Sequence, residues 1–203
     1  LKLTITEVVY IITKCRGFIR NFDETKIYYT IIMAVRIISI DLGNKVSGVV
    51  VADSYKEEDI FVVLHLDVVK GDRNILDVVE NDIIPEYVKG QHNCLLVLEN
   101  IFMYRNFGLH AIHKKVKKLF TALKCKVKCL LPSQKSCGNG GCLKVKKGEN
   151  RKEVAYKGAC ELLKEVLGDM KHYELFMGFT PRRHDLADAL LAAYYIHEHS
   201  GSF

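Results

Sequence analysis

The sequence predicts an α/β fold: a mixed five-stranded sheet, a three-strand antiparallel meander plus two parallel strands, with helices on both faces. Three observations lead there. Two apolar, β-branched runs at 35–42 and 47–52 are split by the turn signal Gly43-Asn44-Lys45. A third such run follows closely at 60–67. From residue 74 onward, helical and strand patterns alternate, which implies parallel strands joined by crossovers.

Each element has its own local cause. Val35-Arg36-Ile37-Ile38-Ser39-Ile40-Asp41-Leu42 reads as a buried strand with one acid near its end. Ser47-Gly48-Val49-Val50-Val51-Ala52 returns from the turn, and Ile60 to Asp67 is the third strand. Between Asn74 and Lys89, the apolar Ile75, Leu76, Val79, Ile83, Ile84 and Tyr87 form a helical stripe, with Pro85 as a kink. Cys94-Leu95-Leu96-Val97-Leu98 is a short apolar strand ending on Glu99. Leu109, Ile112, Val116, Leu119, Phe120 and Leu123 mark one face of a helix, and Lys114, Lys115, Lys117 and Lys118 occupy the other. Residues 126–131 are the fifth strand, 152–167 a helix and 185–199 the closing helix.

A chain of 203 residues, 49% apolar and 27% charged, suits one substantial globular domain. No apolar run approaches the roughly 18–20 residues of a membrane helix, and no secretory pattern is present, so no membrane partner is expected. Seven cysteines, an odd number, read as reduced thiols in an intracellular protein. The net charge of +6 hides an asymmetry: Arg105 to Lys157 carries 15 Lys or Arg against two acids, Glu149 and Glu153. Such an excess points to a polyanionic partner, nucleic acid first.

The acids raise the chemical question. A lone carboxylate buried at Asp41 costs on the order of several kcal/mol unless a cation or donors offset it. Glu99 ends another strand, and Asp185 and Asp188, three apart, share a helix face within about 5–6 Å in the first turn of the closing helix. If the first and fourth strands are neighbours and the last helix starts beside them, four carboxylates meet. An oxygen-only set of this kind suits Mg²⁺ or Mn²⁺, and two such ions about 3.5–4 Å apart clamp a phosphoryl displacement.

These residues also match a known pattern. "IISIDLGNKVSGVVV", "LLVLENIFMYRN", "PSQK", "RKEVAYKGACELL" and "RRHDLADALLAAYY", in this order, resemble the RuvC-type Holliday junction resolvases, and among them the poxvirus enzymes, over about residues 34–199. The resemblance implies a ribonuclease H-like fold, a homodimer and a Mg²⁺-dependent endonuclease with two ions per site, for which Mn²⁺ substitutes. Such an enzyme cuts four-way DNA by symmetric nicks that leave 5′-phosphate and 3′-hydroxyl ends. For a poxvirus enzyme the task is concatemer processing in the host cytoplasm. Asp41, Glu99, Asp185 and Asp188 match the metal-binding acids of the family. Phe102 matches its DNA-contacting aromatic, and Lys135 and Arg151, or Lys152, its basic residues near the scissile phosphate. In this scheme water attacks the phosphodiester, Asp41 is shared by both ions, Glu99 holds one, and Asp185 with Asp188 holds the other. The segment "KSCGNGGCLKVKKGEN" departs from the bacterial members in length and in its cysteines.

A two-fold junction cut on opposed strands calls for two equivalent sites, which an isologous dimer supplies. Both 74–89 and 109–123 offer apolar helices for that contact, and the sequence does not choose between them. Lysine–phosphate contacts, Lys114 and Lys118 among them, make binding strongly salt-dependent, and branched shape rather than base edges sets specificity. Phe102, Tyr104 and Phe107 either wedge against opened bases or pack as core.

The first methionine, Met33, directly precedes the first strong strand, so 1–32 is expected to be an N-terminal extension, outside the native protein, with the nuclease domain at 33–203. Cys125-x₃-Cys129 with Cys137-x₄-Cys142 is a poor zinc set, because i and i+4 on a strand stand about 13 Å apart; free thiols or an intersubunit disulfide remain. His184, beside Asp185, serves the site or the start of the helix. Two rivals stand against the nuclease. One is an actin-like ATPase or sugar kinase, whose phosphate hairpin "IDLGNKVSGVVVAD" resembles but whose second lobe this length cannot hold. The other is a non-catalytic nucleic-acid-binding module of the same fold.

Overall fold

The computed structural model describes residues 34–70, 73–100, 106–131, 149–179 and 183–199. The expected N-terminal extension lies outside them. The meander consists of β1 (Val35–Asp41), β2 (Val46–Tyr55) and β3 (Ile60–Lys70). β2 continues past its apolar run because its polar residues find partners. Arg36 and Asp53, opposite one another across β1 and β2, form a two-pronged ion pair, with Arg36 Nη2 3.0 Å from Asp53 Oδ2 and Nε on the other oxygen. Arg36 Nη1 also donates to the Tyr87 carbonyl at 3.1 Å.

Helix α1 (Ile75–Val78) is capped by Asn74, whose Oδ1 accepts from the Leu76 N–H at 3.0 Å. It runs on as a π-helical stretch, Val79–Val88, that contains Pro85. A proline has no N–H to give an i−4 carbonyl, and the widened turn accommodates it where the sequence suggested a kink. Then come β4 (Cys94–Glu99), α2 (Phe107–Ala122) and β5 (Lys126–Leu130). Helix α3 (Arg151–Glu161) continues π-helically over Leu162–Val166. Next are α4 (Met170–Gly178) and α5 (Arg183–His199).

Helix α4 was not expected from the sequence. Gly168, in the left-handed region at φ 62°, ends the preceding helix, and Asp169 caps the next by accepting from the His172 N–H at 3.1 Å. With only His172 and Phe176 buried, its apolar stripe is too thin to announce a helix.

The strand order is β3-β2-β1-β4-β5. β1–β2 and β2–β3 are antiparallel, and β1–β4 and β4–β5 are parallel. Alternation splits the core into two layers. Ile38, Ile40, Leu96 and Leu98 pack under α1 and α2. Ile37, Val50, Leu95 and Val97 pack under α3, α4 and α5, which contribute Ala159, Leu163, Phe176, Leu186 and Leu190. The molecule is therefore the mixed α/β arrangement with helices on both faces. No helix among the described residues is long and apolar enough to cross a membrane.

Candidate active site

Asp41 is the last residue of β1 and Glu99 the last of β4. The two strands are parallel neighbours with Ile40 aligned to Leu98, so the next step of the register sets Asp41 beside Glu99. Ile40 and Leu98 face α1 and α2. Alternation turns the following residues to the other face, where Ile37 and Val97 lie under α5.

Helix α5 starts at the same corner. Gly48 is the β2 partner of Asp41. A Cβ on Gly48 would stand 2.2 Å from the Asp185 carbonyl oxygen and 2.7 Å from the Leu186 Cα. The first turn of α5 thus rests directly on the strand beside Asp41, and only glycine permits that approach. Asp188 follows three residues on, on the same side of the helix. All four acids are half-buried, neither sealed in the core nor fully in solvent. Asp41, Glu99 and the start of α5 are therefore together, at the C-terminal ends of parallel strands, where open α/β sheets bind ligands.

Contacts from α3 hold the start of α5. The Arg183 guanidinium lies 3.8 Å from the centroid of the Tyr156 ring, and His184 Nδ1 donates to the Lys152 carbonyl at 3.2 Å. His184 thus acts at the helix start. The same contact brings the first turn of α3, with exposed Arg151 and Lys152, next to the residue that precedes Asp185. Asn150 caps this turn by accepting from the Lys152 N–H at 3.0 Å.

Lys114 and Lys118 are exposed on α2, in the layer across the sheet from α5, so they are not on the face of the acids. Phe102, Tyr104 and Lys135 lie outside the described residues, as do Cys137 and Cys142. Cys125 is buried before β5 and Cys129 exposed on it, and both are free thiols. Phe107 is no core residue: it is 72% exposed at the start of α2, next to Asn106, which donates to Asn44 in the β1–β2 turn.

Two contributors were not read from the sequence. One is Gly48. The other is His113, 7% exposed, whose ring hydrogen-bonds the Glu99 main chain while burial pushes its imidazole below the ordinary range. The spacing of His113, Val116 and Phe120, all buried on α2, was the available signal.

No family model and no curated protein matches the sequence. Solved structures do. The fowlpox virus resolvase bound to Holliday junction DNA aligns with a TM-score of 0.59 at 14% identity, over 81% of this chain and 97% of that one. The fowlpox virus Holliday junction resolvase on its own aligns at 0.58 and 15% identity, over 81% and 99%. The yeast mitochondrial Holliday junction resolvase Ydc2 aligns at 0.55 and 14% identity, over 94% and 92%. At this identity the likeness is one of fold: the chain has the ribonuclease H-like fold found in RuvC-type resolvases.

Proposed function

We propose that this chain is a divalent-metal-dependent endonuclease that resolves four-way DNA junctions by symmetric nicking. The observation that carries the proposal is the meeting of the β1 and β4 ends with the α5 start over Gly48. Asp41, Glu99, Asp185 and Asp188 would hold the metal. Their donors are all carboxylate oxygens, half-exposed, and such a set fits Mg²⁺ or Mn²⁺ better than softer ions. Cations held by these four acids would supply charge stabilisation at the scissile phosphate and a lowered pKa for the attacking water.

The chain's own groups do the rest. Arg151 and Lys152, on the α3 turn held to α5 through His184, offset charge that builds on the phosphate, and the family resemblance gives Lys135 the same role. Phe102 stacks against opened bases, and Phe107, exposed at the start of α2, is a second candidate for the same role. Lys114 and Lys118 reach phosphates farther from the cut. Symmetric cleavage calls for a homodimer. Residues 33–203 form the catalytic unit, with 1–32 as an extension. The resemblance to poxvirus enzymes supports a task in viral concatemer processing in the host cytoplasm.

The deciding experiment compares a synthetic four-way junction with matched linear duplex in Mg²⁺. Junction should be nicked symmetrically and duplex spared. Asp41→Asn should bind junction normally yet cut about a hundredfold more slowly or worse. Binding of the junction by the wild type with no cleavage in Mg²⁺ or Mn²⁺ would favour the non-catalytic module.

A further inference from the structure

At the far end of α5, about 18 Å from Asp185 by helix rise, lies a second group of ligating side chains. His197 is 2% exposed. Its ring is packed between Phe61, with centroids 5.4 Å apart, and Tyr194, at 5.7 Å. Nδ1 stands 2.9 Å from the Oγ of Ser54, itself buried. Nε2 points outward to the β2–β3 turn, 3.5 Å from Asp59 Oδ1. One ligand atom each from Asp59, His197 and Glu198 lies within 4.8 Å of the other two. We propose that Asp59, His197 and Glu198 form a binding site for a divalent transition cation, zinc first, that pins the β2–β3 turn to the end of α5.

Four features favour a cation over a plain ion pair. The 3.5 Å separation of nitrogen and oxygen is too long for a good hydrogen bond. It is close to the edge of a tetrahedral zinc site, about 3.4 Å for bonds of 2.0–2.1 Å. The Ser54 hydroxyl, 2.9 Å from Nδ1, is placed to accept the Nδ1–H of the tautomer whose Nε2 lone pair faces a metal, the outer-sphere contact that metal-bound imidazoles ordinarily make. The site also lies at a helix C-terminus, where carbonyl dipoles favour positive charge. Lys56 already exploits this, its Nζ donating to the His197 carbonyl at 2.6 Å and to that of Glu198 at 3.0 Å.

An imidazole with two carboxylates suits zinc better than the oxygen-only corner at Asp41 does. Asp59 adopts φ 55°, a conformation that asparagine tolerates as well as aspartate. Asp59→Asn therefore removes a charged ligand while leaving the backbone undisturbed.

The test titrates Zn²⁺ into the whole metal-stripped chain, by calorimetry, with millimolar Mg²⁺ present to fill oxygen-only sites. One zinc per chain should bind, raise the thermal midpoint, and bind at least about tenfold more weakly to Asp59→Asn and to Glu198→Gln. Asp41→Asn should leave this zinc unchanged, which separates the site from the proposed nuclease centre. Co²⁺ in place of Zn²⁺ should show no thiolate charge-transfer band. Absence of zinc binding, unaltered affinity in the double variant Asp59→Asn/Glu198→Gln, or a thiolate band that assigns the metal to cysteine would each overturn the proposal.

Discussion

Gly48 bears more on the site than any charged residue's neighbour does, because its missing side chain lets the Asp185 main chain settle beside Asp41. Gly48→Ala should therefore lift the first turn of α5 and lower stability by about 1–3 kcal/mol, as overpacking does, with a matching fall in the urea midpoint. Arg36 and Asp53 make a different case. Each side chain is only 12% exposed, so removing one partner strands the other's charge. Asp53→Ala should lose about 3 kcal/mol in chemical denaturation, with the sheet otherwise intact. The acids at 41 and 99 were legible because each ends an apolar run. Gly48 and His113 were not, since a glycine in a strand and a histidine in a helix stripe carry no local mark of what they will touch.

Helix α5 joins two chemistries along its length, carboxylates over Gly48 at its start and His197 against Ser54 near its end. The sequence announced it through the close run of Leu186, Leu190 and Leu191, whereas the nine-residue α4 had too little apolar surface to do so. The joint between edge strand β3 and the π-helical stretch after α1 carries a pH-sensitive contact. The His65 ring on β3 packs against Tyr87 in a tilted contact at 5.4 Å, and burial holds its imidazole below the usual 6.5, although Asp67 and Glu86 pull it upward. As pH falls through about 6.5 the unfolded chain takes up this proton before the folded one does. The stabilisation is thus complete above that pH and is lost on acidification. Urea midpoints should fall between pH 7 and pH 5, and His65→Leu should make that fall shallower.

Across the whole molecule, the sheet order β3-β2-β1-β4-β5 makes β1 the meeting place of the antiparallel and parallel halves, and the acid corner lies at its end. The basic excess divides around this sheet, with Arg151 and Lys152 on the α5 side and the α2 lysines across it. For junction DNA, log affinity should fall steeply with log salt concentration. Arg151→Ala or Lys152→Ala should each reduce the slope by about one, measured by anisotropy from low to moderate salt. Among the described residues, periodicity and turn chemistry sufficed for every element but α4 and for the acids at strand ends and helix start, because those signals repeat within a few residues. They also ended β2 three residues early, since its polar end, Asp53 and Ser54, meets partners at Arg36 and His197 that no local pattern shows. Which strands would be neighbours, that α5 would touch Gly48, and that Ser54 would meet a histidine 143 residues away were beyond any local pattern. Alternation says which side of an element faces a core. Closure of the chain in space settles what stands opposite.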